Sequence, residues 1–207
     1  MATPSPKSTR LQFSNKIMST RKYTIGIDPD LHDLSIGVWN HDGPVTAYVV
    51  HLKRETGLGR EEAVDRMVRE FLSAVYQLHE EHEDAEVIVM EGQSLKRRGA
   101  AQHKRPDDIV RLAQVAAQCL GMLRIVFDSL ATSFEFPDPE RWKGSVAKHA
   151  MQARLYKSLG WGYTIIGTGA NRYARPTNPP ASFNHISKGQ WKHVGDALLL
   201  AKWGYEL

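Results

Sequence analysis

Two short runs near the start of the chain alternate apolar and polar positions with a period of two, the signature of β-strands, and a third strand-like run follows them. In the first, residues 23–28, Tyr23, Ile25 and Ile27 alternate with Thr24, Gly26 and Asp28. Residues 34–39 repeat the pattern with Leu34, Ile36 and Val38, and residues 45–52 form a third run. Asn40-His41-Asp42-Gly43-Pro44 stands between the last two and predicts a hairpin turn. The chain is expected to open on an antiparallel meander of three strands.

Gly57 and Gly59 close the meander, and the period then becomes helical. Val64, Met67, Val68, Phe71, Val75 and Leu78 recur among Glu, Arg and Asp, which predicts an amphipathic helix over residues 61 to about 83. Residues 87–90 are continuously apolar, as expected of a central strand covered on both faces. A strand reached through a crossover helix lies parallel to the first strand. Asp28 and Glu91, each closing one of these runs, are then expected at the same sheet edge. A long helix follows from Pro106 through Gly121 to about residue 130, with a shorter helix and a strand at 123–127 as the competing assignment. Residues 132–136 read as a short strand stopped by Pro137 and Pro139. Helical segments are expected at 139–146 and about 147–159, a long loop at 160–188, and a last helix over about 189–203. No internal repeat is present. The expected class is α/β, with a mixed five-stranded sheet of a three-stranded antiparallel meander plus two parallel strands, flanked by helices.

Composition narrows this picture. The chain has 207 residues, 42% hydrophobic and 24% charged, enough for one globular domain with its own core, expected over residues 22–207. Residues 1–21 are rich in Ser, Thr, Pro, Lys and Arg without an apolar block, so they read as a flexible tail and not a signal peptide; Met18 is a conceivable alternative start. No apolar run approaches the roughly 20 residues of a membrane helix. The single cysteine, Cys119, excludes an internal disulfide, points to a reducing cytoplasmic setting and is expected in the core. Net charge is +4 and the pI about 9.2, a modest excess. Its distribution says more: Lys96, Arg97, Arg98, Lys104, Arg105 and Arg111 cluster just after Glu91, opposed by Asp107 and Asp108. That is either a DNA-phosphate contact surface or a solvated loop.

Asp28, Glu91, His193 and Asp196 are the candidate chemistry. His193 and Asp196 stand three apart in the last helical stretch and share a face. Carboxylates at strand ends facing a His/Asp pair form a hard-ligand set for Mg²⁺ or Mn²⁺. Cutting a phosphodiester needs an activated water and a stabilised leaving oxygen, which two divalent ions supply together. Asp28 is the best bridging ligand, Glu91 and Asp196 complete one shell each, and His193 either ligates metal or moves a proton. Ordinary roles exist for each residue. Asp28-Pro29-Asp30 can cap a turn, Glu91 can pair with an Arg, and His193 and Asp196 can form a solvent-facing pair. The apolar stretch 197–201 argues that their helix is buried.

In chain order, Gly26-Ile27-Asp28-Pro29, Val89-Met90-Glu91, Leu112-Ala113-Gln114, the 137–146 segment with Trp142-Lys143, and His193-Val194-Gly195-Asp196-Ala197-Leu198 resemble the RNase H-like superfamily and, within it, RuvC-type Holliday-junction resolvases. The similarity spans about residues 23–203. It implies a Mg²⁺-dependent homodimer that nicks two opposing strands of a four-way DNA junction symmetrically. It also implies Asp28, Glu91, His193 and Asp196 as the catalytic and metal-binding quartet and Lys143 as a DNA contact. The chain departs from the family pattern in three places. Asp30 replaces a usual Gly, Ser94 stands where an aromatic wedge is common, and the 160–188 segment is long. Arg172, Tyr173, Arg175, Phe183 and His185 in that segment either contact DNA or pack it down. These departures resemble a divergent, phage-type member. Competing readings are a nuclease of the same fold acting on flaps, forks or RNA–DNA hybrids, and a non-catalytic junction-binding relative. An actin-like ATPase or sugar kinase would need a second related domain and Gly-rich phosphate loops, which this chain lacks.

Overall fold

β1 (Tyr23–Asp28), β2 (Asp33–Asn40) and β3 (Gly43–His51) pair antiparallel in the computed structural model, which describes residues 23–30, 33–51, 59–82, 85–92, 106–127 and 132–207. The expected turn between β2 and β3 is tight. The Asp42 N–H donates to the Asn40 side chain at 2.8 Å, and Gly43 takes a φ of 115° that side-chain-bearing residues avoid. Helix α1 (Arg60–Glu81) crosses over to β4 (Ala85–Met90), parallel to β1. Helix α2 (Pro106–Val126) then leads to β5 (Ser133–Glu135), parallel to β4. The sheet order is β3-β2-β1-β4-β5, the mixed five-stranded sheet expected from the pattern.

Both faces of β1 are covered, which is why Thr24 to Asp28 are all buried. Ile25 and Ile27 join Leu34, Ile36, Val38, Ile88 and Met90 against α1 and α2, through Phe71, Val75, Leu78, Val115 and Leu123. Cys119 lies in this core, where burial raises its thiol pKa to about 12, the inert thiol expected of a packing residue. The opposite face carries Gly26, Asp28 and Gly37 and receives the last helix, α5 (Trp191–Tyr205). A Cβ on Gly26 would stand 2.2 Å from the Ala197 carbonyl oxygen, and one on Gly37 would stand 2.8 Å from the Ala197 carbonyl carbon. The two glycines therefore let α5 sink onto the sheet, with Ala197 and Ala201 as its contact face.

Between β5 and α5 lie the short α3 (Pro139–Lys143) and α4 (Lys148–Ser158). The 160–188 segment, expected as a loop, instead contains an antiparallel hairpin of β6 (Tyr163–Ile166) and β7 (Tyr173–Pro176). Tyr163-Thr164-Ile165-Ile166 favours strand, and Gly167 and Gly169, at φ of 81° and 55°, bend the chain back. The Pro- and Asn-rich flanks hid this four-residue strand from a pattern reading. Tertiary context adjusts other boundaries too. Residues 123–126 continue α2 and form no strand. Helix α3 ends at Lys143, where Gly144 takes a φ of 58°, and α5 starts at Trp191 and runs to Tyr205. Phe183 is buried in an aromatic cluster with Trp161 and Trp191, and the His185 ring meets the Ala47 carbonyl at 2.7 Å, so both pack the segment down. Arg172 stays exposed. Among the described residues, no helix is long and apolar enough to cross a membrane.

Candidate active site

The ladder between β1 and β4 runs one residue beyond β4: the Glu91 N–H donates to the Ile27 carbonyl at 3.0 Å. This places Asp28 and Glu91 side by side at the carboxyl edge of the sheet, the convergence expected from two parallel strands. The close approach of α5 then brings His193 and Asp196 over that edge. His193 Nδ1 lies 3.1 Å from Asp28 Oδ2, and Asp28, His193 and Asp196 are all buried. A carboxylate oxygen accepts, so Nδ1 is the donor in this contact and Nε2 is the ring nitrogen not engaged by Asp28. The buried helix argued from residues 197–201 is present, and the solvent-facing His/Asp pair is not.

Two ammonium groups enter from α3 and α4. Lys143 Nζ donates to Glu91 Oε1 at 3.0 Å, a basic partner of the kind expected for Glu91, here a lysine. Lys148 Nζ lies 2.5 Å from Asp196 Oδ2, and the buried Gln152 amide donates to Asp196 Oδ1 at 2.9 Å. Lys148, Gln152 and Tyr156 fall four residues apart and form one face of α4 against α5. Neither Lys148 nor Gln152 stands out in the sequence. The available signal was a polar residue at helical spacing from Tyr156, in phase with the apolar face.

The electrostatics follow from crowding. Burial, then the neighbouring Asp28 carboxylate, pushes the Glu91 carboxyl above its usual range against the pull of Lys143. Burial works against the charge on Lys148, but the carboxylates of Asp196, Asp28 and Glu91 outweigh it and hold this lysine above its ordinary pKa. Lys148 is therefore an ammonium throughout the neutral range. Three carboxyls face two ammonium groups, an arrangement that still favours added positive charge. Among the described residues, no three His, Cys, Asp or Glu side chains stand as a ready coordination shell. The donor types, carboxylate oxygens and one imidazole, nonetheless suit a hard divalent cation.

Other expected contacts lie elsewhere. Lys96, Arg97, Arg98, Lys104, Arg105 and the wedge position Ser94 are outside the described residues, as is the 1–21 tail. Arg111 is half-buried on α2.

The chain is similar in structure to RuvC from Thermus thermophilus in complex with a Holliday junction substrate. The TM-score is 0.52 at 17% sequence identity, over 88% of this chain and 91% of that one. A second Thermus thermophilus RuvC structure aligns with a TM-score of 0.46 at 18% identity, over 87% of this chain and 92% of that one. No protein-family model matches the chain, and no curated protein matches it in sequence. The fold is thus the RuvC-type, RNase H-like one: an antiparallel meander extended by parallel strands, with a helix carrying His193 and Asp196 across the first strand.

Proposed function

We propose that this chain, with its RuvC-type fold, is a divalent-metal-dependent endonuclease that resolves four-way DNA junctions by paired symmetric nicks. The observation that carries this reading is the meeting of Asp28, Glu91, His193 and Asp196 at one sheet edge, from three distant places in the sequence. Asp28, central and rigidly held by β1, would hold the metal together with Glu91 and Asp196. Two Mg²⁺ ions, or Mn²⁺ as substitute, supply an activated water and neutralise the leaving oxygen when bound. His193, oriented by Asp28 through Nδ1, presents Nε2 to accept or return a proton. In this reading Lys143 exchanges Glu91 for a DNA phosphate, and Lys96, Arg97, Arg98, Lys104 and Arg105 are further phosphate contacts.

Residues 22–207 act in this reading as one cytoplasmic nuclease domain behind a 1–21 tail. The enzyme works as a homodimer, since two-fold symmetry matches the symmetry of a junction. The exposed face of α2 supports this, with Val110 57% and Ile125 76% exposed and the small Ala113, Ala117 and Gly121 between them. Such a face suits close self-packing of two helices.

Purified protein is expected to cut a synthetic four-way junction with Mg²⁺ or Mn²⁺, to stop in EDTA, and to favour the junction over flaps, forks and RNA–DNA hybrids. Asp28→Asn should abolish cleavage and leave junction binding intact. Cutting that survives this substitution, or that needs no metal, sinks the proposal. Equal cutting of flaps moves the substrate assignment, and binding without cleavage in any metal replaces the enzyme with a junction-binding protein.

A further inference from the structure

Gln152 is fully buried and uses both ends of its amide. Its Nε2 donates to Asp196 Oδ1 at 2.9 Å and to the Lys192 carbonyl at 3.2 Å, while its Oε1 accepts from the Ala174 N–H at 2.9 Å. The two backbone partners decide which way the amide faces. A flipped Gln152 would set its oxygen against the Lys192 carbonyl and the Asp196 carboxylate, and its NH₂ against the Ala174 N–H. The orientation that gives Asp196 a donor is therefore selected by α5 on one side and by β7 on the other.

Ala174 lies in the β6–β7 hairpin, opposite Ile165, and its N–H is directed at Gln152. The hairpin also packs on α4, where Ala174 is buried. Gly195 makes room for this arrangement, because a Cβ there would stand 2.8 Å from Gln152 Nε2 and 2.6 Å from the Tyr156 hydroxyl. With Lys148 on Oδ2 and Gln152 on Oδ1, both oxygens of Asp196 are held from α4, and one backbone N–H of the hairpin holds Gln152.

We propose that Gln152 is a positioning residue for Asp196, and that the β6–β7 hairpin is the part of the fold that keeps its amide in the working orientation. The inference rests on the proposed metal-dependent nuclease site and assigns the 160–188 segment a task within it. Partners that orient a ligand's carboxylate commonly set metal affinity or turnover by about 10–100-fold.

The test compares the full chain with Gln152→Met, which conserves volume and helix propensity but makes none of the three bonds. Three quantities are read: the Mn²⁺ dissociation constant without DNA, kcat and KM on a four-way junction, and Tm. The expected result is Mn²⁺ binding weaker by about 10-fold or more and a similar loss in kcat. KM and junction affinity should stay within about twofold, and the circular dichroism spectrum should be unchanged. Gln152→Asn keeps an amide one methylene too short to span both sides. It should lose in the same direction, and it carries the test if the Met variant fails to fold. Variants that fold and match the wild type in Mn²⁺ affinity and kcat overturn the inference, as does a loss confined to Tm. A wild-type chain that neither binds Mn²⁺ nor cuts DNA overturns the proposed nuclease itself, and this inference with it.

Discussion

Gly26 of β1 lies directly against Ala197 of α5, so close that a Cβ on residue 26 would stand 2.2 Å from the Ala197 carbonyl oxygen and 2.3 Å from the Ala201 nitrogen. The partners are backbone atoms of a buried helix, which cannot swing aside. Gly26→Ala must push α5 off the sheet and, with it, His193 away from Asp28. Chemical denaturation should show a loss of about 1–3 kcal/mol or more. Any protein that folds should have lost cleavage as well, because the 3.1 Å contact between His193 and Asp28 depends on the same approach.

Lys148 neutralises Asp196 and faces Asp28 and Glu91. Lys148→Met leaves Asp196 without its ammonium partner. A fully buried pair would lose more, but a quarter of the Lys148 side chain is exposed, so about 1–3 kcal/mol is expected. If a cation binds this cluster, Mg²⁺ should restore part of that loss, since a ligand that binds only the folded state stabilises it. Thermal melts in EDTA and in Mg²⁺ check this: the Mg²⁺-dependent gain in Tm should be larger in the variant than in the wild type.

His82 is buried beside the Tyr23 ring, 4.6 Å between centroids, and neither ring nitrogen has a hydrogen-bond partner among the described residues. Burial lowers its pKa below the ordinary 6.5, with Glu81 pulling weakly the other way. Between the lowered folded value and 6.5 the unfolded chain binds the proton and the folded chain does not. Stability therefore falls as pH drops through that window, by up to about 1.4 kcal/mol per pH unit. His82→Phe should flatten this part of the profile and cost little at neutral pH, because it removes no bond. Denaturation midpoints from pH 5 to 8 compare the two slopes.

Ala117 sits at the middle of the exposed α2 face that the dimer proposal uses. Ala117→Arg should weaken self-association by about 10-fold or more, equivalent to about 1.4 kcal/mol. Monomer stability should change by less than about 0.5 kcal/mol, as for other surface substitutions. Sedimentation across a concentration series, beside a melt at low concentration, separates the two effects.

Much of the site is legible in the amino-acid sequence. The alternation in residues 23–28 and the continuous apolar run at 87–90 identify two buried strands. The crossover rule makes them parallel, so Asp28 and Glu91 share an edge for reasons of topology alone. The spacing of three between His193 and Asp196 fixes their common face. Cys119 as a core residue and the mixed five-stranded sheet were equally readable. The β6–β7 hairpin was not, because its four-residue strands fall below the length at which a period of two stands out from flanking Pro, Gly and Asn.

Amino-acid order by itself determined which side chains must be buried and which strand ends must meet. Only the tertiary structure decided what each buried polar group holds. Lys143 takes Glu91, Lys148 and Gln152 take the two oxygens of Asp196, and Ala174 takes Gln152. Hydrophobic periodicity reports the face a residue turns inward and nothing about its partner. Such pairings span 22 to 52 residues and are set by how closely the layers approach. Here that approach was settled by the missing side chains of Gly26, Gly37 and Gly195.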